Sequence, residues 1–157
     1  MNILLRPAVA EDAGRVASIL IDTRAAFMPY APSAHTEAEV RAWVATRLVP
    51  SAGVIVAERA GEVAAAMATE RSETCSWITQ MAVDPPLVGQ GLGSVLLEHA
   101  LKTLALPIRL YTFQANGGAR RFYERHGFIA LVFTDGRANE ERCPDVLYEY
   151  NAKQTEV

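Results

Sequence analysis

The most informative segment of the chain reads Val83-Asp84-Pro85-Pro86-Leu87-Val88-Gly89-Gln90-Gly91-Leu92-Gly93-Ser94. It joins an apolar run at Ser76–Val83, which predicts a strand, to an apolar helical pattern that extends to Leu104. Prolines end a sheet ladder because they lack the backbone donor, and the start of a helix offers free N–H groups and the positive end of a dipole. The segment therefore fits an anion-binding loop, and it fits equally well a flexible turn that needs several glycines.

Two familiar nucleotide-binding loops do not match this segment. A dinucleotide-binding turn has the pattern Gly-x-Gly-x-x-Gly, whereas Ser94 stands at the third glycine position after Gly89 and Gly91. No acidic residue near Tyr111 is available to hold a ribose. A nucleotide-hydrolysing P-loop needs Lys before its Ser or Thr, and Ser94 has no such Lys. Both classes are therefore disfavoured.

Hydrophobic periodicity divides the rest of the chain into strands and helices. Helical spacing predicts helices over Glu11–Phe27 and Thr36–Leu48, and Thr36 with Glu39 predicts a capping box. Short apolar runs on either side of Gly61 predict a hairpin. The predicted order is β-α-α-β-β-β-α-β-α-β-β, with strands at Asn2–Arg6, Val54–Glu58, Glu62–Thr69, Ser76–Val83, Ile108–Phe113, Phe128–Thr134 and Val146–Tyr150.

Length and composition limit the class of protein. The chain has 157 residues, half of them hydrophobic, which is enough for one domain over residues 1–150 with a frayed tail over 151–157. No apolar run approaches the roughly 18 residues of a membrane span, and the N-terminus lacks signal-peptide features, so we expect a cytoplasmic protein that does not bind membranes.

The net charge of -3, without a basic run, argues against nucleic-acid binding. Cys75 and Cys143 have no partner at metal-ligand spacing, so no metal site is expected.

A second motif follows the predicted strand at Ile108–Phe113. Residues 116–128 read Asn-Gly-Gly-Ala-Arg-Arg-Phe-Tyr-Glu-Arg-His-Gly-Phe, with Asn116 as a helix cap and Gly127 at the helix end. This segment resembles the Asn-x-x-Ala-x-x-Phe-Tyr-x-x-x-Gly-Phe signature of the GNAT acetyltransferase superfamily, and the glycine loop resembles that family's other main motif. The resemblance extends over residues 2–150. It implies the GNAT fold, a mixed α/β fold whose mostly antiparallel sheet of six to seven strands is flanked by four helices.

The resemblance also implies a cofactor and an activity. Acetyl-CoA would donate its acetyl group to a primary amine of a small molecule or a protein. Backbone groups of Met81, Ala82 and Val83 would pair with the pantetheine arm. The other implied cofactor-binding residues are Val88, Gly89, Gln90, Gly91, Leu92, Gly93, Ser94, Asn116, Ala119, Phe122 and Tyr123. The family pattern has Arg or Gln where this chain has Val88, so one polar contact with the cofactor is missing.

Tyr123 matches the family's general acid, which protonates the departing CoA thiolate. It shares a helix face with Ala119, Phe122 and His126, a spacing that a plain core stripe would also show. Glu70, near the end of the third apolar run, is our candidate for the base that removes the proton of the amine. A solvated hairpin acid is the more ordinary explanation of Glu70, and a water molecule could serve as the base instead.

The acceptor would contact the first two helices and the last strands, as it does in the family. The residues expected there are Arg24, Phe27, Met28, Tyr30, His35, Trp77, Gln80 and Glu141.

Two alternative functions are a non-catalytic acyl-CoA binding module and a toxin that acetylates aminoacyl-tRNA. Tyr123 argues against the first, and the net charge argues against the second. Many family members pair through their last strands, and Val146, Leu147 and Tyr148 would be compatible with such an edge in a homodimer; a monomer is the alternative.

Overall fold

Seven strands and four α-helices occur along residues 2–152, the part of the chain that the computed structural model describes. The strands are β1 (Ile3–Pro7), β2 (Val54–Arg59), β3 (Glu62–Arg71), β4 (Ser76–Val83), β5 (Ile108–Phe113), β6 (Ile129–Phe133) and β7 (Asp145–Tyr150). The helices are α1 (Ala13–Phe27), α2 (Glu37–Trp43), α3 (Leu92–Thr103) and α4 (Gly117–Arg125). The predicted order of elements is confirmed. The predicted frayed tail lies outside the described residues except for Asn151 and Ala152.

The strands form a mixed sheet in the order β1-β2-β3-β4-β5-β7-β6. Antiparallel pairs join β1 to β2, β2 to β3, β5 to β7 and β6 to β7, while β4 and β5 are parallel. The predicted fold class, a mostly antiparallel sheet of six to seven strands with four helices, is confirmed. Because β7 is hydrogen-bonded along both edges, the prediction that Val146, Leu147 and Tyr148 lie at a sheet edge is wrong, and β6 is the edge strand.

The chain forms two compact units. The first comprises the described residues up to Thr69 together with Gln80–Thr103, and its core contains Val16, Ile19, Val44 and Val56. The second comprises Glu70–Thr79 and the described residues from Leu104 onward, and its fully buried side chains are Ile108, Leu110, Val146 and Tyr148. The assignment of residues 1–150 to a single domain stays a prediction.

Local signals in the sequence account for several boundaries. The Thr36 hydroxyl accepts a hydrogen bond from the Glu39 N–H at 3.1 Å, and the Glu39 carboxylate accepts one from the Thr36 N–H at 2.8 Å, so the capping box is confirmed. The β2–β3 hairpin turns through Ala60 and Gly61, which both have positive φ. The second helix is shorter than predicted, because α2 ends at Trp43 and a π-helical turn follows over Val44–Leu48.

Candidate functional site

The glycine loop connects β4 to α3 through a short turn. A 3₁₀ turn over Pro85–Leu87 begins directly after Asp84, whose carbonyl accepts the Leu87 N–H at 2.8 Å. Gly89 and Gly91 then take φ values of 87° and 91°, which disfavour any residue with a side chain. The Gly91 carbonyl accepts the Val95 N–H at 3.0 Å, so helical hydrogen bonding starts at Gly91.

Backbone donors at the start of α3 are available to a ligand. None of the N–H groups of residues 89–94 donates to another group within residues 2–152. The first N–H groups of a helix lack partners inside the helix, and the helix dipole places partial positive charge there. A Cβ atom added at Gly89 or Gly91 would meet no atom within 4 Å. This loop therefore has the donors and the open space that the diphosphate of a coenzyme A would need.

Two side-chain contacts and one backbone hydrogen bond in the first unit anchor the start of the loop. Arg15 donates to the Asp84 carboxylate at 2.7 Å and to the Val63 carbonyl at 2.9 Å. The Asp84 N–H in turn donates to the Ala64 carbonyl at 2.8 Å. Since Arg15 lies on α1 and Val63 on β3, this ion pair fixes the first residue of the loop to two separate elements. Arg15 was not among the residues predicted from the sequence, because no local pattern signals a contact between residues 15 and 84.

A further cation reaches the loop from the β2–β3 hairpin. Arg59, the last residue of β2, donates from Nη1 to Oε1 of Gln90. Val88, at the position where the family pattern has Arg or Gln, is an exposed apolar side chain and provides no donor. The loss at Val88 was predicted from the sequence, whereas the contact of Arg59 was not, because Arg59 lies 31 residues before Gln90.

The end of β4 extends beyond its pairing with β5. The parallel ladder comprises Ser76 opposite Ile108 and Trp77 opposite Arg109. Met81, Ala82 and Val83, predicted to face the pantetheine arm, come after these pairs on β4. The Val83 carbonyl accepts a hydrogen bond from the Thr23 hydroxyl at 3.1 Å, so that group is already engaged. Ala82 is buried, whereas Met81 and Val83 are half-buried.

Helix α4 carries the second motif, in the second unit. The Asn116 side chain accepts the Ala119 N–H at 3.2 Å and so caps the helix, as predicted. Phe122 packs on Tyr123 with ring centroids 5.2 Å apart and on His126 with centroids 4.7 Å apart. Of the face shared by Ala119, Phe122, Tyr123 and His126, Tyr123 is the buried member, while the other three are half-buried.

Tyr123 is buried by aromatic neighbours. Its ring lies 5.7 Å from the Phe128 ring and 6.4 Å from the Tyr148 ring, measured between centroids. Burial raises the pKa of the Tyr123 phenol well above its usual value. The Tyr123 hydroxyl makes no hydrogen bond within the described residues, where every fully enclosed side-chain oxygen has a partner, so this oxygen is not completely enclosed. A buried ring with an accessible, protonated hydroxyl can act as a proton donor.

A polar network behind Tyr123 holds α4 against β7. The fully buried Tyr148 donates its hydroxyl hydrogen to the Glu124 carboxylate at 2.6 Å and accepts a hydrogen bond from Arg120 Nε at 3.1 Å. The Arg120 guanidinium also lies 5.3 Å from the centroid of the Phe133 ring. Since Arg120 and Glu124 lie four residues apart on one face of α4, this network joins that face to β7.

The remaining candidates are divided between the two units. The side chain of Glu70 is exposed near the end of β3 and makes no hydrogen bond or ion pair with the described residues. Trp77 stacks on Tyr111, with nearly parallel rings 5.8 Å apart, in the same unit as Glu70. Glu141, also in that unit, is half-buried.

The first unit holds the acceptor candidates at the end of α1. Phe27 and Tyr30 are exposed aromatic side chains, and Met28 is half-buried. Arg24 donates to the Ala31 carbonyl at 2.8 Å and so ties the end of α1 to the segment that follows it. Gln80 is half-buried on β4, and His35 is exposed directly before the cap of α2.

Residues 2–152 contain neither a metal-binding cluster nor a membrane-spanning helix. No cluster of His, Cys, Asp and Glu side chains that could hold a metal ion occurs among them. None of their helices is both long and apolar enough to cross a membrane.

Comparison with known proteins assigns the family. The sequence profile of the acetyltransferase (GNAT) family matches residues 20–128, which is more than half of the chain. No curated protein sequence matches the chain. Solved structures show the same fold: apo YjaB from Escherichia coli has a TM-score of 0.76 and 24% identity, with 96% of this chain and 98% of that chain covered.

Two further solved structures are similar at low sequence identity. Ard1 from Thermoplasma volcanium has a TM-score of 0.74 and 21% identity, over 96% of this chain and 97% of that one. The PaiA N-acetyltransferase from Thermoplasma acidophilum, solved in complex with coenzyme A, has a TM-score of 0.73 and 15% identity, over 96% and 99%. The chain belongs to the acetyltransferase (GNAT) family.

Proposed function

We propose that the protein is an N-acetyltransferase that transfers the acetyl group of acetyl-CoA to a primary amine of a small molecule or a protein. The observation that carries this proposal is the glycine loop, with positive φ at Gly89 and Gly91 and with N–H groups at the start of α3 that have no partner within residues 2–152. The family match and the CoA complex of a structural neighbour support the choice of cofactor.

The loop binds the diphosphate of the cofactor through backbone donors. Residues Gly89, Gln90, Gly91, Leu92, Gly93 and Ser94 supply N–H groups, and the dipole of α3 adds to the attraction. Met81, Ala82 and Val83 lie on the part of β4 beyond the β5 ladder, where an extended pantetheine arm pairs with the backbone like a neighbouring strand. The further cofactor-binding residues of this proposal are Asn116, Ala119 and Phe122, at the cap and on α4.

The chemical step is a direct acyl transfer. Acetyl-CoA supplies an activated thioester. The neutral amine attacks the acetyl carbonyl carbon, a C–N bond forms, the C–S bond breaks, and the electron pair of that bond stays on sulfur. Tyr123 donates its phenolic proton to the thiolate, and Glu70 or a water molecule takes the proton that the amine loses. Eight side chains orient the amine: Arg24, Phe27, Met28, Tyr30, His35, Trp77, Gln80 and Glu141.

Calorimetric titration of the purified protein tests the cofactor assignment first. We expect saturable micromolar binding of acetyl-CoA and CoA and no binding of NAD. Binding should be followed by thiol release when a panel of amines is supplied with acetyl-CoA. Absence of binding by both acetyl-CoA and CoA would contradict the proposal, and binding without turnover on any amine would indicate a non-catalytic acyl-CoA module.

The role of Glu70 is tested separately. If Glu70 removes the proton that the amine loses, Glu70→Gln should lower kcat by roughly 100-fold near neutral pH, and the loss should shrink at higher pH, where hydroxide can take that proton instead. Glu73→Gln, which removes a nearby exposed charge, is the matched control. An unchanged kcat in Glu70→Gln would leave water as the base.

A further inference from the structure

The phosphate loop of this chain lacks the polar side chain that its family pattern provides. Val88 stands at that position, with half of its surface exposed and no atom that can donate a hydrogen bond. The backbone donors of residues 89–94 remain, but a diphosphate carries a charge that neutral N–H groups only partly balance. A cation at this loop would have to come from another element.

Arg59 is such a cation. It is the last residue of β2, directly before the positive-φ turn of the β2–β3 hairpin, and it donates to the Gln90 side chain in the middle of the glycine loop. Arg59 and the loop belong to the same compact unit. The contact places a guanidinium at the glycine loop, where the N–H groups of residues 89–94 are available to a ligand.

The charge of Arg59 is not balanced by a carboxylate within residues 2–152. Glu62 lies opposite Arg59 in the β2–β3 ladder and forms no ion pair with it, and Glu58 is occupied by Arg6 at 2.5 Å. The partner that Arg59 does have, the amide oxygen of Gln90, is neutral. A guanidinium has five N–H donors, so this single contact leaves donors for a ligand.

We propose that Arg59 binds the diphosphate of acetyl-CoA and replaces the polar contact that Val88 cannot make. This inference rests on the proposed function. Gln90 orients the guanidinium through its side chain without neutralising it, and the fork of parallel N–H groups matches two phosphate oxygens. The backbone of the loop and the side chain of Arg59 then act on the same anion.

The test is calorimetric binding of CoA and of dephospho-CoA, which lacks the 3′-phosphate and keeps the diphosphate. Arg59→Gln should weaken both ligands by about tenfold, since a charge-assisted contact is lost. Arg47→Gln, which removes an equal charge from an exposed residue of the same unit, should bind both ligands as the wild type does. Circular dichroism checks that each variant is folded.

Each other outcome overturns a defined part of the inference. Wild-type affinity of Arg59→Gln for both ligands overturns it entirely. Weakening of CoA alone overturns the assignment to the diphosphate, because the 3′-phosphate would then be the partner. If Arg59→Gln does not fold, Arg59→Lys keeps the charge but loses the fork; it should weaken both ligands several-fold, and unchanged affinity overturns the inference. Failure of the wild type to bind either ligand instead contradicts the proposed function.

Discussion

Burial sets the protonation state of Tyr123, the side chain on which the proposed chemistry depends. The ring packs among Phe122, Phe128 and Tyr148, and removal from water disfavours the phenolate, so the pKa of Tyr123 is raised. A proton donor must hold its proton until the thiolate forms. The environment of Tyr123 therefore favours the acid form that the proposed role requires.

Replacement of Tyr123 by Phe tests this role with little change in packing. The variant keeps the ring contacts with Phe122 and Phe128 and loses only the hydroxyl. We expect kcat to fall by roughly 100-fold, because general acid catalysis is lost, while KM for acetyl-CoA changes little. Steady-state kinetics with Tyr150→Phe as the matched control provide the measurement. A Tyr123→Phe variant with full kcat would exclude Tyr123 as the acid.

The raised pKa of Tyr123 also predicts the pH dependence of the reaction. An ordinary tyrosine loses its proton near pH 10, and burial moves this loss to higher pH. The acid form therefore persists across pH 7–10, and kcat should show no alkaline decline in that range. The profile of kcat from pH 7 to 10 is the measurement. A decline in the wild type that is absent from Tyr123→Phe would contradict the prediction.

At the scale of single elements, the glycine loop depends on backbone conformations that few residues can take. Gly91 has a φ of 91° at the point where α3 begins, and its carbonyl starts the hydrogen bonding of the helix. Because a Cβ at Gly91 would find open space, steric crowding is not the constraint. The constraint is conformational, because a φ of 91° disfavours any residue with a side chain.

Gly91→Ala and Gly14→Ala form a matched pair that separates conformation from crowding. A Cβ at either position meets no atom within 4 Å, but Gly14 lies in α1. Gly91→Ala should lower the free energy of unfolding by about 1–3 kcal/mol and weaken CoA binding. Gly14→Ala should raise the free energy of unfolding by up to about 1 kcal/mol and leave CoA binding unchanged. Urea unfolding and calorimetry measure both quantities, and equal stability changes in the two variants would contradict the argument.

At the scale of the whole molecule, ligand binding links the candidate site to global stability. A ligand that binds the folded state alone stabilises it by mass action, which amounts to about 2.7 kcal/mol at 100 times Kd. For a chain of this length, the corresponding rise in Tm is about 5–10 °C. CoA should produce this shift in a thermal scan, and NAD at the same concentration should not. A Tm that does not respond to saturating CoA would contradict the cofactor assignment.

The sequence by itself determined the order of the elements and the identity of the two motifs. Capping by Thr36 and Asn116, the turn at Gly61 and the end of α4 at Gly127 are local, because each depends on residues within three or four positions. Hydrophobic periodicity likewise predicted β4 over Ser76–Val83 without error. The glycine loop and the segment at 116–128 could be recognised for the same reason, since each is contiguous in the chain.

Only the tertiary structure decided which distant residues meet. The interior position of β7, the two-pair ladder of β4 with β5, the Arg15–Asp84 ion pair and the Arg59–Gln90 contact all join residues that are far apart in the chain. Side chains alternate between the two faces of a sheet in an interior strand as they do in an edge strand. The pattern at 146–150 therefore could not show that β6 pairs with the second edge of β7. An exposed arginine likewise has no periodicity that reveals its partner. Long-range contacts depend on the path of the chain between its elements, and a local sequence pattern does not specify that path.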